Sequence, residues 1–143
     1  MAEAAQQLAE RCVHAMLAED RYTAWMGMEV VEIAPRRSVV AMTVRPEMTN
    51  GFGVCHGGVT FSLADSALAF ASNTHGRVTV SIENSIRYPA PAVAGDRLTA
   101  VAEAEHVGGR IGYYRVTVTK ADGTLVGLFR GTVYATEKPL VDG

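Results

Sequence analysis

Cysteine is nearly absent from this chain. Cys12 and Cys55 are the only two among 143 residues, and neither has a CxxC partner or belongs to a His/Cys cluster at metal-ligand spacing. That pattern argues against a disulfide scaffold and against a zinc site; no metal is expected, and reduced thiols in a cytoplasm are. A surplus of one charge is missing too. The 13 basic and 15 acidic residues leave a formal net charge of −2, so no broad basic field invites nucleic acid or an anionic membrane surface. No apolar run approaches the ~20 residues of a membrane span. The first residues lack the basic start and continuous apolar core of a secretory signal, so a cytoplasmic location is expected. Repeats, low-complexity tracts and linkers are also lacking. What is present is a chain of one-domain size, residues 1–143, with 48% hydrophobic residues and enough length to bury a core.

The apolar residues fall in a regular order. Over residues 3–21, Leu8, Cys12, Ala15 and Met16 recur at helical spacing with Arg11, Glu19 and Asp20 opposite, which predicts an N-terminal helix serving as a lid or a brace. Tyr22 to Gly27 reads as a connector anchored by Trp25 and Met26. Val30, Val31 and Ile33, then Val39, Val40, Met42 and Val44, mark two strands joined by turn chemistry at Pro35-Arg36-Arg37. Pro46 ends the second. Residues 57–75 predict a long central helix that closes before Gly76. Four strands follow, around Val78 to Ile86, Asp96 to Val107, Ile111 to Lys120 and Leu125 to Ala135. Gly108-Gly109 and Asp122-Gly123 turn the last three into a meander. Residues 136–143 carry no pattern and are expected to fray. The order predicts an α+β fold: a six-stranded antiparallel sheet wrapped around one apolar helix, with the N-terminal helix added.

The central helix carries an anomaly. Phe61, Leu63, Ala64, Ala67, Leu68, Ala69, Phe70 and Ala71 leave almost no polar face, yet Asp65 sits in the middle. Aspartate is a poor helix-interior residue and is rarely buried without a partner. The surrounding Phe61, Ser62, Leu68 and Ala69 would raise its pKa in a dry site, where it serves as a base for water or as a nucleophile; otherwise it is a carboxylate bonded at an interface. At the helix start, Gly57 and Gly58 place unpaired N–H groups where the dipole favours an oxyanion, or simply make a tight turn. From Gly57 to Asp65 is roughly 12 Å of helix, whereas reacting groups lie ~3–3.5 Å from the atoms they attack. If both act on one carbonyl, they come from two chains related by a twofold axis. His56 polarises a carbonyl or bonds its own loop. Asn50 fixes His56 or a water, or is a turn residue beside Gly51. Cys55 beside His56 lacks a third orienting group, which disfavours a cysteine mechanism. Ser66 holds water near Asp65 or bonds back to its helix. Arg87 and the Gly108-Gly109-Arg110 turn meet phosphates or remain surface residues. Phe61, Tyr88, Tyr113 and Tyr114 line an aromatic pocket or pack the core.

Asn50-Gly-x-Gly-x-x-His56-Gly-Gly-x-x-Phe61-x-Leu-Ala-Asp65-Ser-Ala-x-Ala-x-Ala-x-Asn73 resembles the signature of the hotdog-fold acyl-CoA thioesterases, in particular the phenylacetic-acid-degradation (PaaI) type. The likeness extends from about Gly27 to Tyr134 and takes in Ala94-Gly-Asp96 and Leu128-Phe-Arg-Gly131. The resemblance implies a hotdog homodimer, paired into a homotetramer, that hydrolyses acyl-CoA or arylacetyl-CoA such as hydroxyphenylacetyl-CoA without a cofactor, coenzyme A being part of the substrate. It implies Asp65 as base or nucleophile and the Gly57 N–H as oxyanion donor, with His56 and Asn50 in support. Gly58, Phe61, Ser66, Asn84, Arg87 and Arg110 are then the substrate-binding candidates. One departure is visible: Arg87-Tyr88-Pro89-Ala90-Pro91 stands where the family often has Arg-Pro, so a phosphate contact is not carried over. A non-catalytic acyl-CoA-binding hotdog module and a hotdog dehydratase or hydratase are the alternatives.

Overall fold

The computed structural model describes residues 1–142. Helix α1 (Ala2–Glu19) and a short α2 (Arg21–Met26) precede strands β1 (Glu29–Ala34) and β2 (Arg37–Thr43). The long helix α3 (Gly57–Ser72) follows, then β3 (Arg77–Arg87), β4 (Arg97–Gly108), β5 (Ile111–Lys120) and β6 (Leu125–Pro139). All six strands form one antiparallel sheet in the order β1-β2-β4-β5-β6-β3, with the expected meander at β4-β5-β6. The sheet curls around α3, which meets every strand.

Alternation decides which side of each strand faces α3. On β4, Leu98, Ala100 and Ala102 are buried; on β5, Tyr114, Val116 and Val118; on β6, Phe129 and Val133. Leu63, Leu68 and Phe70 of α3 fill the interior, each contributing roughly 1.5–3 kcal/mol by burial. That outweighs the ~0.7 kcal/mol an interior aspartate costs in helix propensity. The small Ala64, Ala67 and Ala71, all fully buried, let the curved sheet approach the helix.

Several boundaries differ from the sequence reading. The N-terminal helix expected over 3–21 is present but stops at Glu19, and the segment expected to be a connector, Tyr22 to Gly27, is mostly a second short helix. Asp20 ends α1 and caps α2, its carboxylate accepting the Thr23 N–H at 2.9 Å and hydroxyl at 2.7 Å. Met26 anchors this segment in the core, but Trp25 is 69% exposed and anchors nothing. Helix α3 ends at Ser72, short of 75, because the buried Asn73 amide takes over. It donates to Ala69 O at 2.8 Å and Thr79 O at 2.9 Å and accepts the Thr79 N–H at 2.8 Å, tying the helix end to β3. The segment expected to fray from 136 is strand as far as Pro139, paired with Arg77. The Thr136 hydroxyl donates to Val78 O, and Leu140 N–H to Gly76 O; position 143 lies outside the described residues. Finally, α3 is not enclosed all round. Gly58, Ser62, Asp65 and Ala69 form one partly open stripe along it.

Candidate active site

The start of α3 is built by the loop before it. Thr49 and Cys55 bridge across the loop, Cys55 N–H donates to Ala92 O, and His56 N–H donates to Met48 O. His56 is the N-cap residue: its Nδ1 accepts the Gly58 N–H at 2.9 Å, so in the neutral ring Nε2 carries the proton. Of the two glycine donors expected here, one is therefore taken. The Gly57 N–H has no acceptor among the described residues, and it stands at the positive end of a 16-residue helix. The Tyr88 hydroxyl donates to Gly57 O at 2.8 Å, and its ring lies 3.1 Å from where a Cβ on Gly57 would be. A side chain at 57 would displace that ring, which explains the glycine.

Asn50 does not reach His56. Its Oδ1 accepts the Phe52 N–H at 2.9 Å and the Val54 N–H at 3.4 Å, the turn role rather than the supporting one. Cys55 is buried, its thiol near the Thr60 hydroxyl, and burial pushes its pKa up. It is a packed thiol and not half of a nucleophile pair.

Asp65 lies on the open stripe of α3, and burial of its carboxyl pushes the pKa up. The opposing influence is the Asn84 amide, which donates to Asp65 Oδ1 at 3.2 Å and favours the charged form. A β-bulge places that amide. Pairing of β3 with β6 slips between Ser81 and Glu83, leaving Ile82 unpaired. Without the slip, strict alternation from Ser81 would turn Glu83 toward α3; with it, Asn84 faces in opposite Gly131. Gly131 makes the room: a Cβ there would sit 2.5 Å from a Leu68 methyl and 2.6 Å from Asn84 Oδ1. Asn84 Oδ1 is itself buried without a partner among the described residues. Asp65, Ser81, Thr79 and Val80 line one shallow cavity between α3 and β3.

The remaining candidates scatter. Phe61 packs edge-on against Phe129 at 5.4 Å, Tyr114 is core, Tyr113 stacks on His106 outside, and Tyr88 covers Gly57, so these aromatics make no common pocket. Ser66 is partly exposed and makes no side-chain hydrogen bond among the described residues. Arg87 is on the outer face of the sheet with Arg115 and Arg130, whereas Arg110 lies at the far end of α3. The two arginines do not converge. The sequence reading missed Tyr22, whose hydroxyl is 2.8 Å from Ser62 Oγ, one turn before Asp65. Tyr22 and Trp25 lie 5.9 Å apart, both exposed; their i, i+3 spacing was the available signal.

A six-stranded antiparallel sheet curled around one long helix is the hotdog fold. Residues 52–127 match the family model of the thioesterase superfamily. The chain is 39% identical over 118 residues to the acyl-coenzyme A thioesterase PaaI of Escherichia coli, covering 82% of this chain and 84% of that one. A putative esterase of Archaeoglobus fulgidus is 37% identical over 128 residues, covering 90% and 83%. The solved structure of E. coli PaaI, from the phenylacetic acid degradation operon, superposes with a TM-score of 0.92 at 35% identity, covering 94% and 97%. A Streptococcus mutans protein solved with acetyl-CoA superposes at 0.78 with 27% identity, covering 84% and 95%. This chain belongs to the thioesterase superfamily and is by class a thioester hydrolase. Among the described residues no helix is long and apolar enough to cross a membrane.

Proposed function

We propose that this protein hydrolyses acyl-CoA thioesters, with arylacetyl-CoA such as phenylacetyl- or hydroxyphenylacetyl-CoA as the substrate class, at a site shared by two copies of the chain. The observation that carries the reading is the pair formed by the free Gly57 N–H and the Asn84-bonded Asp65 on one continuous helix. The Gly57 N–H receives the thioester oxygen as it becomes an oxyanion. Asp65 either removes a proton from the attacking water or attacks the carbonyl itself to give an anhydride that water then opens. In both routes the C–S bond breaks, the sulfur leaves as thiolate and takes up a proton, and the acid is released. His56 and Asn50 fix the loop that presents Gly57.

Eight residues separate the two groups, roughly 12 Å of helix, so the donor of one copy serves the carboxylate of the other. Two features favour a second copy beside α3: the open stripe along the helix, and the edge strand β3, on which Val80 and Ile82 are 46% and 57% exposed. A homodimer follows from this reading; its pairing into a homotetramer is what the family resemblance adds. Tyr22, bonded to Ser62 one turn before Asp65, and its neighbour Trp25 supply aromatic surface suited to an aryl group, in keeping with the phenylacetic acid operon of the E. coli relative. Coenzyme A enters as part of the substrate, in keeping with the acetyl-CoA bound in the S. mutans structure, and no cofactor is called for. A cytoplasmic location suits such a substrate.

Thiol release by the purified protein across phenylacetyl-, hydroxyphenylacetyl-, benzoyl- and medium-chain acyl-CoA tests the proposal. Preference for the arylacetyl esters, with turnover abolished and substrate still bound in Asp65→Asn, is the expected result. Hydrolysis by Asp65→Asn at the wild-type rate would sink the assignment, and binding without thiol release by the wild type would make the protein a binding module.

A further inference from the structure

The backbone around Gly57 is held more firmly than a helix start requires. The His56 N–H is taken by Met48 O at 2.8 Å, and His56 O accepts the Val59 N–H at 2.9 Å. On the following peptide plane the Gly58 N–H goes to His56 Nδ1 at 2.9 Å, and Gly57 O accepts the Tyr88 hydroxyl at 2.8 Å. Side chains thus fix both ends of the Gly57–Gly58 plane. The Gly57 N–H is the group among these that no acceptor in the described residues takes. Ordinary helix chemistry does not call for the Tyr88 bond. The groups left over at a helix N-terminus are N–H donors, whereas its first carbonyls accept bonds from the next turn. Gly57 O is one of those carbonyls, so a donor on it relieves no orphan. Packing does not demand the bond either, because Tyr88 is half-exposed and its hydroxyl has water at hand.

A stiff segment places the tyrosine. Tyr88 directly follows β3 and precedes Pro89-Ala90-Pro91, and the two prolines confine Tyr88 and Ala90 to extended backbone. The buried Ala92 closes the segment by accepting the Cys55 N–H at 2.7 Å. One short stretch of chain therefore grips the loop on both sides of His56, at Cys55 before it and at Gly57 after it. Such a grip matters most at a glycine. Position 57 has no room for a side chain, since a Cβ there would meet the Tyr88 ring at 3.1 Å. Without a Cβ, the residue does little to restrict its own φ. Rotation about Gly57 relates the plane that carries the N–H to the plane that carries the carbonyl. Anchoring the carbonyl therefore restrains the N–H, and an oxyanion donor is most effective when its direction is set before the reaction.

We propose that Tyr88 is a positioning residue for the reaction, its hydroxyl holding the Gly57 carbonyl so that the Gly57 N–H points at the thioester oxygen. This rests on the thioesterase reading above. Tyr88 acts through Gly57, at the site to which its own chain gives the donor. Burial, and after it the neighbouring Cys55, pushes the Tyr88 pKa up, so the phenol remains a donor through neutral pH.

Tyr88→Phe in the full-length protein removes the hydroxyl and keeps the ring. Steady-state thiol release from phenylacetyl-CoA should show kcat lowered about tenfold with KM unchanged, the pattern of an interaction lost in the transition state. A smaller share of folded enzyme gives the same pattern, so a spectroscopic reading accompanies the kinetics. The infrared carbonyl band of bound phenylacetyl-CoA, isotopically labelled at the thioester carbon, is recorded in Asp65→Asn and in the double variant Asp65→Asn, Tyr88→Phe. In Asp65→Asn the Gly57 hydrogen bond moves the band to lower frequency than in solution. In the double variant the band should return toward its solution position, in molecules that are folded and liganded. An unchanged kcat, a raised KM alone, or a lowered kcat with an unmoved carbonyl band would overturn the proposal. Should the wild type release no thiol, the thioesterase reading fails, and the band is then compared between wild type and Tyr88→Phe. A return toward the solution position would still uphold the positioning role; a band that does not differ, or an ester that does not bind, would refute it.

Discussion

Replacing Asn84 by alanine isolates the contact that keeps Asp65 ionised. In the wild type, burial pushes the Asp65 pKa up and the Asn84 amide at 3.2 Å opposes it. A hydrogen bond to a charged group contributes about 1.5–3 kcal/mol, and the 3.2 Å separation puts this one at the low end. About 1.4 kcal/mol is a tenfold change in an equilibrium. In Asn84→Ala the acid limb of the pH–rate profile therefore moves to higher pH, and on that limb kcat/KM falls about tenfold. The plateau above it changes less, because Asp65 is ionised there in either protein. Thiol release from phenylacetyl-CoA, followed as kcat/KM across pH, reads both regions in one experiment. A profile scaled down by one factor at every pH would refute the reasoning, since it would make Asn84 a packing residue; so would a profile that superposes on the wild type.

Other consequences follow from the same contacts. Because burial raises the Asp65 pKa, the folded state holds that proton more tightly than the unfolded chain. Wild-type stability from this group is thus full below the ordinary value of 3.8 and is lost as pH rises through the elevated one. Asp65→Asn should melt above the wild type at neutral pH and converge with it in acid, as thermal scans across pH will show. Asn73→Ala removes three hydrogen bonds and leaves the buried Thr79 N–H unpaired, at a cost of about 1–3 kcal/mol or more in urea unfolding. Cys55→Ala should retain full turnover in the thiol-release assay, since the Cys55 thiol is buried and its pKa is pushed up.

The elements carrying strong local signals were legible from the residues alone. The run from Val59 to Ala71 is too apolar to be anything but a core helix, and Asp122-Gly123 joins β5 to β6 as expected. The Gly57-to-Asp65 separation was readable because a helix has a fixed rise. What escaped depended on tertiary detail. Asn84 faces Asp65 only because a bulge at Ile82 shifts the period-2 alternation by one residue, and nothing local marks that bulge. Gly131 looked like part of a supporting motif; its role is to leave space for Leu68 and Asn84, which come from other elements. Asn73 stops the helix three residues early by bonding to Thr79 across a turn, a contact that a glycine-stop rule does not contain. The Tyr22–Ser62 contact joins residues 40 apart in the chain, beyond the reach of spacing arguments.

The central claim is that one α3 supplies the carboxylate to one site and the N–H donor to another. Mixed oligomers test it most directly. Asp65→Asn removes the carboxylate, and Gly57→Pro removes the N–H at a helix position where proline is well accepted, displacing only the half-exposed Tyr88 ring. Each variant alone should be inactive. When the two are unfolded together and refolded, half of randomly paired dimers are mixed, and each mixed dimer holds one complete site of two. Recovery of about a quarter of wild-type thiol release is the predicted result. A mixture as inactive as its parents would contradict it and place the carboxylate and its donor within one chain.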